Sequence, residues 1–141
     1  MSIHRLATLG GGLALTALLA GCVERPAPVA GTRLYAIDQG GTARQCKVGP
    51  VTLTAGKETN AAMAVGNDGG RCSLLVAQDG HPYSAGLLTT PATHGKVYVH
   101  AVGDDTRVDY TPDTGFVGAD AFTVTLLPGR PVLRVGVTVT R

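Results

Sequence analysis

His81, His94 and His100, the acidic set Asp104, Asp105, Asp109, Asp113 and Asp120, and the serines Ser73 and Ser84 are the residues whose chemistry depends on their company. The three histidines stand at spacings that match no zinc motif such as H-x3-5-H, so metal ligation would require the fold to gather separate loops. Calcium wants 6–8 oxygen ligands from a convergent loop. The aspartates fall in different turns without a D-x-[DN]-x-[DN]-G pattern, which reads as solvated turns. Neither serine lies in G-x-S-x-G. Gly66-Asn-Asp-Gly-Gly70 has no lysine and no following helix, so it is not a phosphate loop. Nothing pairs two carboxylates in the way glycoside hydrolysis requires. These residues predict no enzyme, no metal and no cofactor.

Cysteine carries more. Cys22 closes Leu19-Ala20-Gly21-Cys22, behind an apolar run from Leu6 to Ala20 and the basic start Met1-Ser2-Ile3-His4-Arg5. A charged start, an apolar stretch and small residues before a cut site describe a secretory signal. A bilayer-spanning helix needs about 20 apolar residues. This run is shorter, and Gly10-Gly11-Gly12 interrupts it. The tetrapeptide resembles the lipobox of bacterial lipoproteins. That resemblance implies diacylglycerol on the Cys22 sulfur, cleavage just before it, acylation of the new N-terminus and anchoring in a membrane. Val23, where the family uses Asp for inner-membrane retention, points to the outer membrane, with the domain facing the periplasm or the cell surface.

With Cys22 given to lipid, Cys46 and Cys72 remain, an even pair in an exported and oxidising compartment. The expectation is a structural disulfide. A redox pair would have C-x-x-C spacing near a βαβ pattern, and the sequence has neither.

The elements that must position these residues are short and β-rich. Removal of residues 1–21, which takes Arg5 away, leaves 120 of 141 residues and lowers the net charge from +2 to +1. That suits one domain, and a nearly neutral chain has no basic face for nucleic acid. Residues 22–41 read as lipidated N-terminus and tether, with Pro26 and Pro28 favouring extended backbone. Within it Arg33 to Ile37 is a possible short strand, closed by the turn signal Asp38-Gln-Gly-Gly41. Residues 42–141 form the domain. Strands are expected at Val51 to Thr54, Asn60 to Val65, Cys72 to Ala77 (a central strand), Lys96 to Val102, Thr106 to Thr111, Ala121 to Leu127 and Val132 to Thr140. Gly103-Asp104-Asp105 reads as a hairpin turn.

The last fifty residues carry a second resemblance. Pro91-Ala-Thr-His-Gly95-Lys-Val97, Val108-Asp-Tyr110-Thr-Pro112, Gly115-Phe116-Val-Gly118-Ala-Asp120-Ala-Phe122 and the closing Val135-Gly-Val-Thr-Val-Thr140 resemble bacterial immunoglobulin-like and cadherin-like repeats. The resemblance implies an all-β, immunoglobulin-like sandwich of about seven strands. Physics agrees: Gly115 and Gly118 permit a corner at positive φ, and Asp120 can accept backbone N–H groups there. Phe122 and Tyr110 supply bulk to a core of Val and Leu; the alternative for Tyr110 is a sandwich corner with its hydroxyl bonded to backbone.

The expected function is a membrane-anchored, non-catalytic binding or structural module that contacts an envelope protein complex or a polysaccharide. The candidate contacts are loop residues far from the tether: His81-Pro82-Tyr83, Asp104-Asp105 and Phe116, with Phe116 either an exposed anchor or packed under its own loop. An inhibitor lipoprotein that inserts a loop into a lysozyme-like or protease site is the alternative, and a metal-handling lipoprotein is a third. A rigid protruding loop would favour the inhibitor; blunt turns would weaken it.

Overall fold

The computed structural model describes residues 40–141. The signal, Cys22, most of the tether and the expected strand at Arg33 to Ile37 lie outside the described residues. Among the described residues there are eight strands: β1 Cys46–Val48, β2 Glu58–Gly66, β3 Cys72–Val76, β4 Ala85–Thr90, β5 Gly95–Val102, β6 Asp105–Pro112, β7 Gly118–Leu127 and β8 Val132–Thr140. They form two sheets, β1-β2-β8-β7-β4 and β3-β6-β5, packed as an all-β sandwich.

Alternation in the sequence decides which face each strand buries. On β8, Leu133, Val135, Val137 and Val139 point inward and are at most 2% exposed, while Arg134, Gly136 and Thr138 point outward. Phe122, Val124 and Leu126 of β7 lie beside them, and Met63 and Val65 of β2 complete this side. Leu74 and Val76 of β3 and Val108 and Tyr110 of β6 face them from the other sheet. Full burial of each such side chain contributes about 1.5–3 kcal/mol, so the core follows β7, β8 and β6. β2 and β8 run parallel in register from Glu58↔Val132 to Gly66↔Thr140; the other pairings are antiparallel.

Cys46 and Cys72 are joined. The bond ties β1 in one sheet to β3 in the other, as a staple between layers. β3 corrects the expectation of a central strand: it is an edge, and its apolar run includes an outward Leu75 that is 41% exposed. Val51 to Thr54 is also corrected. Val51 and Leu53 do pack against the core, but the segment pairs with no strand. β1 and β4 were not expected, because three residues are too few to show a period and Ala-Gly-Leu-Leu-Thr-Thr does not alternate.

The registers define two ends. Gly40, Asp68–Arg71, Pro91–His94, Asp113–Gly118 and Arg141 gather at one, the proximal end. Residues 49–57, Ala77–Ser84, Gly103–Asp104 and Pro128–Pro131 gather at the other, the distal end.

Candidate functional site

The densest set of polar side chains sits on the outer face of the β3-β6-β5 sheet, around Asp109. Arg107 and Asp109 are two apart on β6 and so share its outer face; Ser73 of β3 pairs opposite Asp109, and His100 of β5 opposite Arg107. Arg107 Nε lies 3.1 Å from Asp109 Oδ1, Arg71 Nε 3.4 Å from Oδ2 and His100 Nε2 3.8 Å from Oδ2. Ser73 Oγ donates to Oδ1 at 2.5 Å. A Ser–His–Asp relay needs the histidine between hydroxyl and carboxylate. Here the serine hydroxyl donates to the aspartate directly, and His100 approaches the other carboxylate oxygen, so the histidine does not stand between them. The cluster is an ion-pair network that fixes three strands. Sequence reasoning missed Arg71 and Arg107, weighed Ser73 only as a nucleophile and read Asp109 as solvated. The signal was the outer-face alternation Arg107, Asp109, Thr111 opposite Thr106, Val108, Tyr110.

At the proximal end, Asp120 is a hub. Its Oδ1 accepts the N–H of Thr93 (3.0 Å) and Ala121 (2.9 Å); its Oδ2 accepts the N–H of His94 and the Tyr110 hydroxyl, both at 2.9 Å. Burial pushes the carboxyl upward, but these donors outweigh it and hold Asp120 below the usual carboxylate range. The Tyr110 oxygen also lies 3.2 Å from the His94 carbonyl, the backbone contact of a sandwich corner. Burial first, then the Asp120 bond, pushes the phenol well above its ordinary value. Gly115 and Gly118 have φ of 80° and 146°, as the corner requires.

The distal end carries a cleft of about 240 Å³ lined by Leu53, Ala55, Gln78, Tyr83, Pro128 and Pro131, among others. Burial and the nearby Asp79 carboxylate push the Tyr83 phenol up. The rim turns are blunt. Gln78 and His81 exchange both backbone hydrogen bonds around Asp79-Gly80, whose φ values of 52° and 76° make a two-residue hairpin turn.

The structure distributes the expected contacts unequally. His81 is exposed on the distal rim and Asp104 half-buried beside it. Tyr83 and Asp105 are corrected: both are buried, Tyr83 with its N–H on Thr106 Oγ1 and Asp105 as the first residue of β6. Phe116 takes the packed alternative, and differs from the expectation only in position. It lies at the proximal end, is half-buried, and stacks on His94 with ring centroids 4.1 Å apart. Asn67, which sequence reasoning passed over, fixes that loop by donating to the carbonyls of Asp113 (2.7 Å) and Phe116 (2.9 Å). The three histidines are not brought together: His81 is distal, His94 proximal and His100 on the sheet face. Among the described residues no group of three His, Cys, Asp or Glu side chains converges as a metal site. The chain matches no protein-family model, and the search of curated proteins finds no relative.

Proposed function

We propose that the chain is an exported lipoprotein, anchored through Cys22 in the outer membrane, whose sandwich is a non-catalytic module that contacts an envelope protein complex or polysaccharide through its distal rim. The observation that carries this reading is the placement of the two ends. The described chain begins at Gly40 and finishes at Arg141 on the proximal end, so the rim around His81, Asp104 and the Tyr83–Pro128 cleft lies at the opposite end of the sandwich from the point where the chain enters it. Three acyl chains, as the lipobox resemblance implies, hold a protein where one chain binds only marginally. The cross-sheet disulfide suits the same oxidising compartment. The immunoglobulin-like resemblance is supported by β8-β7-β4 packed over β3-β6-β5, the strand orders of such sandwiches.

The inhibitor alternative has less support, since the Asp79-Gly80 turn beside His81 is a tight two-residue hairpin and not a protruding loop. Scattered histidines likewise weaken the metal-handling reading. The test combines metabolic labelling by an alkyne fatty acid with crosslinking in intact cells, using the native chain and a Cys22→Ala variant. The expected result is label on the native chain only and a defined envelope partner captured only by it. Absence of label on the native chain overturns the anchor, and capture of a lysozyme or protease by both forms overturns the docking module in favour of the inhibitor.

A further inference from the structure

Four strands end the two sheets, and three of those edges are guarded. β1 is three residues long, carries Lys47 and runs into Gly49-Pro50. β3 is capped at its start by the Thr42–Arg71 bridge and is tied down by the disulfide. β5 bears Lys96 and His100. Short length, charge, proline and covering contacts are the devices by which β proteins prevent edge-to-edge pairing. β4 has the fewest of these: Pro91 follows its last residue and a bulge interrupts its C-terminal part, but among the described residues no charge and no covering strand guards its first four residues. Its sequence, Ala-Gly-Leu-Leu-Thr-Thr, holds no charge and no proline, and its single bulge lies past Leu88, which leaves Ala85–Leu88 regular. Among the described residues it pairs with β7 on one side and with no strand on the other. Leu87 is 50% exposed and Leu88 40%.

We propose that β4 is a pairing edge through which two copies of this chain join antiparallel, making one continuous sheet across the dimer. An isologous pair sets the same strand against itself, and charge decides who can do that. A charged edge would oppose its own like charges across the two-fold axis; β4 opposes only Leu87, Leu88 and their neighbours. The backbone groups of an open edge demand a strand as occupant, and the second copy supplies an equally uncharged one. Antiparallel pairing sends the two proximal ends in opposite directions, so the paired strands lie along the membrane and the two rims open at opposite ends of the dimer. The 18 residues from Cys22 to Gln39 reach up to about 60 Å at roughly 3.4 Å per residue. A nine-residue strand such as β8 is about 30 Å long. Both copies can therefore keep their anchors in one membrane, whose confinement raises their effective concentration. The pairing itself does not depend on the lipid, so its test stands if the anchor fails.

The experiment is oxidative crosslinking of the full chain in native membranes with Leu87→Cys, beside Lys47→Cys on the opposite edge and the native chain. The expected result is a covalent dimer of twice the chain mass from Leu87→Cys alone, reduced at least tenfold when Leu88→Lys is added. Monomer from Leu87→Cys, equal dimer from both edges, or an adduct of another mass overturns the proposal. Because a variant can misfold, the native chain is also weighed by light scattering in detergent: a dimer that Leu88→Lys converts to a protease-resistant monomer is expected, and a native monomer at 100 μM, a concentration of about 10⁻⁴ M at which even a weak specific pair with Kd near 1 μM is filled, overturns it.

Discussion

Asp120 and Tyr110 show how two polar side chains hold a corner. The Asp120 carboxylate takes three backbone N–H groups and the Tyr110 hydroxyl, so it joins the start of β7, the β4–β5 connection and β6. A hydrogen bond to a charged group contributes about 1.5–3 kcal/mol, and Tyr110→Phe should cost about 1–2 kcal/mol in urea unfolding. The pH dependence has a definite sign at each end. Asp120 has a folded value below its unfolded one of about 3.9, so its contribution is present above about pH 4 and is lost as pH falls below it. Asp120→Asn should flatten that acid limb; an unchanged slope would remove Asp120 from the account. Tyr110 is raised above its unfolded value of about 10, so its contribution holds below that pH and is lost as pH rises through the folded value. Tyr110→Phe should flatten the alkaline limb.

The corner also constrains its neighbouring elements. Gly95 opens β5, and a Cβ there would lie 2.5–2.7 Å from the Tyr110 ring and hydroxyl. Tyr110 cannot retreat, since it is fully buried and its ring centroid stands 6.0 Å from that of Phe122. Gly95→Ala should therefore lower stability by about 1–3 kcal/mol, the range for an overpacked core, and a variant as stable as the native chain would show that the corner gives way. Between the sheets, the Cys46–Cys72 bond spans 26 positions. In the chain-entropy account such a loop contributes about 3.5 kcal/mol, so Cys46→Ala with Cys72→Ala should move the urea midpoint down accordingly. How much of this was legible follows from what periodicity reports. β7 and β8 alternate apolar and polar residues over a buried face, and β6 alternates Val108 and Tyr110 with Arg107 and Asp109 although both of its faces are covered, so these strands were visible in the sequence. Val51 and Leu53 alternate because they pack over the distal end of the core, yet a period shows a face and not a neighbour. The corner glycines Gly115 and Gly118 were legible because positive φ is a local demand, and the Tyr110 hydroxyl because the repeat resemblance places it. The Asp120 bonds to Thr93 and His94 were not, since they come from a loop 27 and 26 residues away that only the fold brings near. The Asp109 network was not, because its partners come from three strands whose register only the fold sets.

At the scale of the whole molecule, the two ends do different work. The proximal end is consolidated: Asp120, Asn67 and the Phe116–His94 stack draw its loops together, and Asp68 accepts the N–H of Arg44 and Gly70 where the chain begins its described course. The distal end is closed by tight turns that leave a cleft between Tyr83 and Pro128. If the rim is the contact surface, its distance from the lipid matters as much as its shape. Residues 23–31, with Pro26 and Pro28, would contribute up to about 30 Å of standoff at roughly 3.1–3.4 Å per residue. Deleting them should leave lipid labelling and the unfolding midpoint of the domain unchanged while abolishing partner capture in intact cells. Restoring nine Gly/Ser residues should recover part of the capture, since reach is then regained without the stiffness of proline. Capture by the deletion variant at the native level would mean that the partner is met at the membrane surface, and the binding face would then have to be sought at the proximal end or along the sheets.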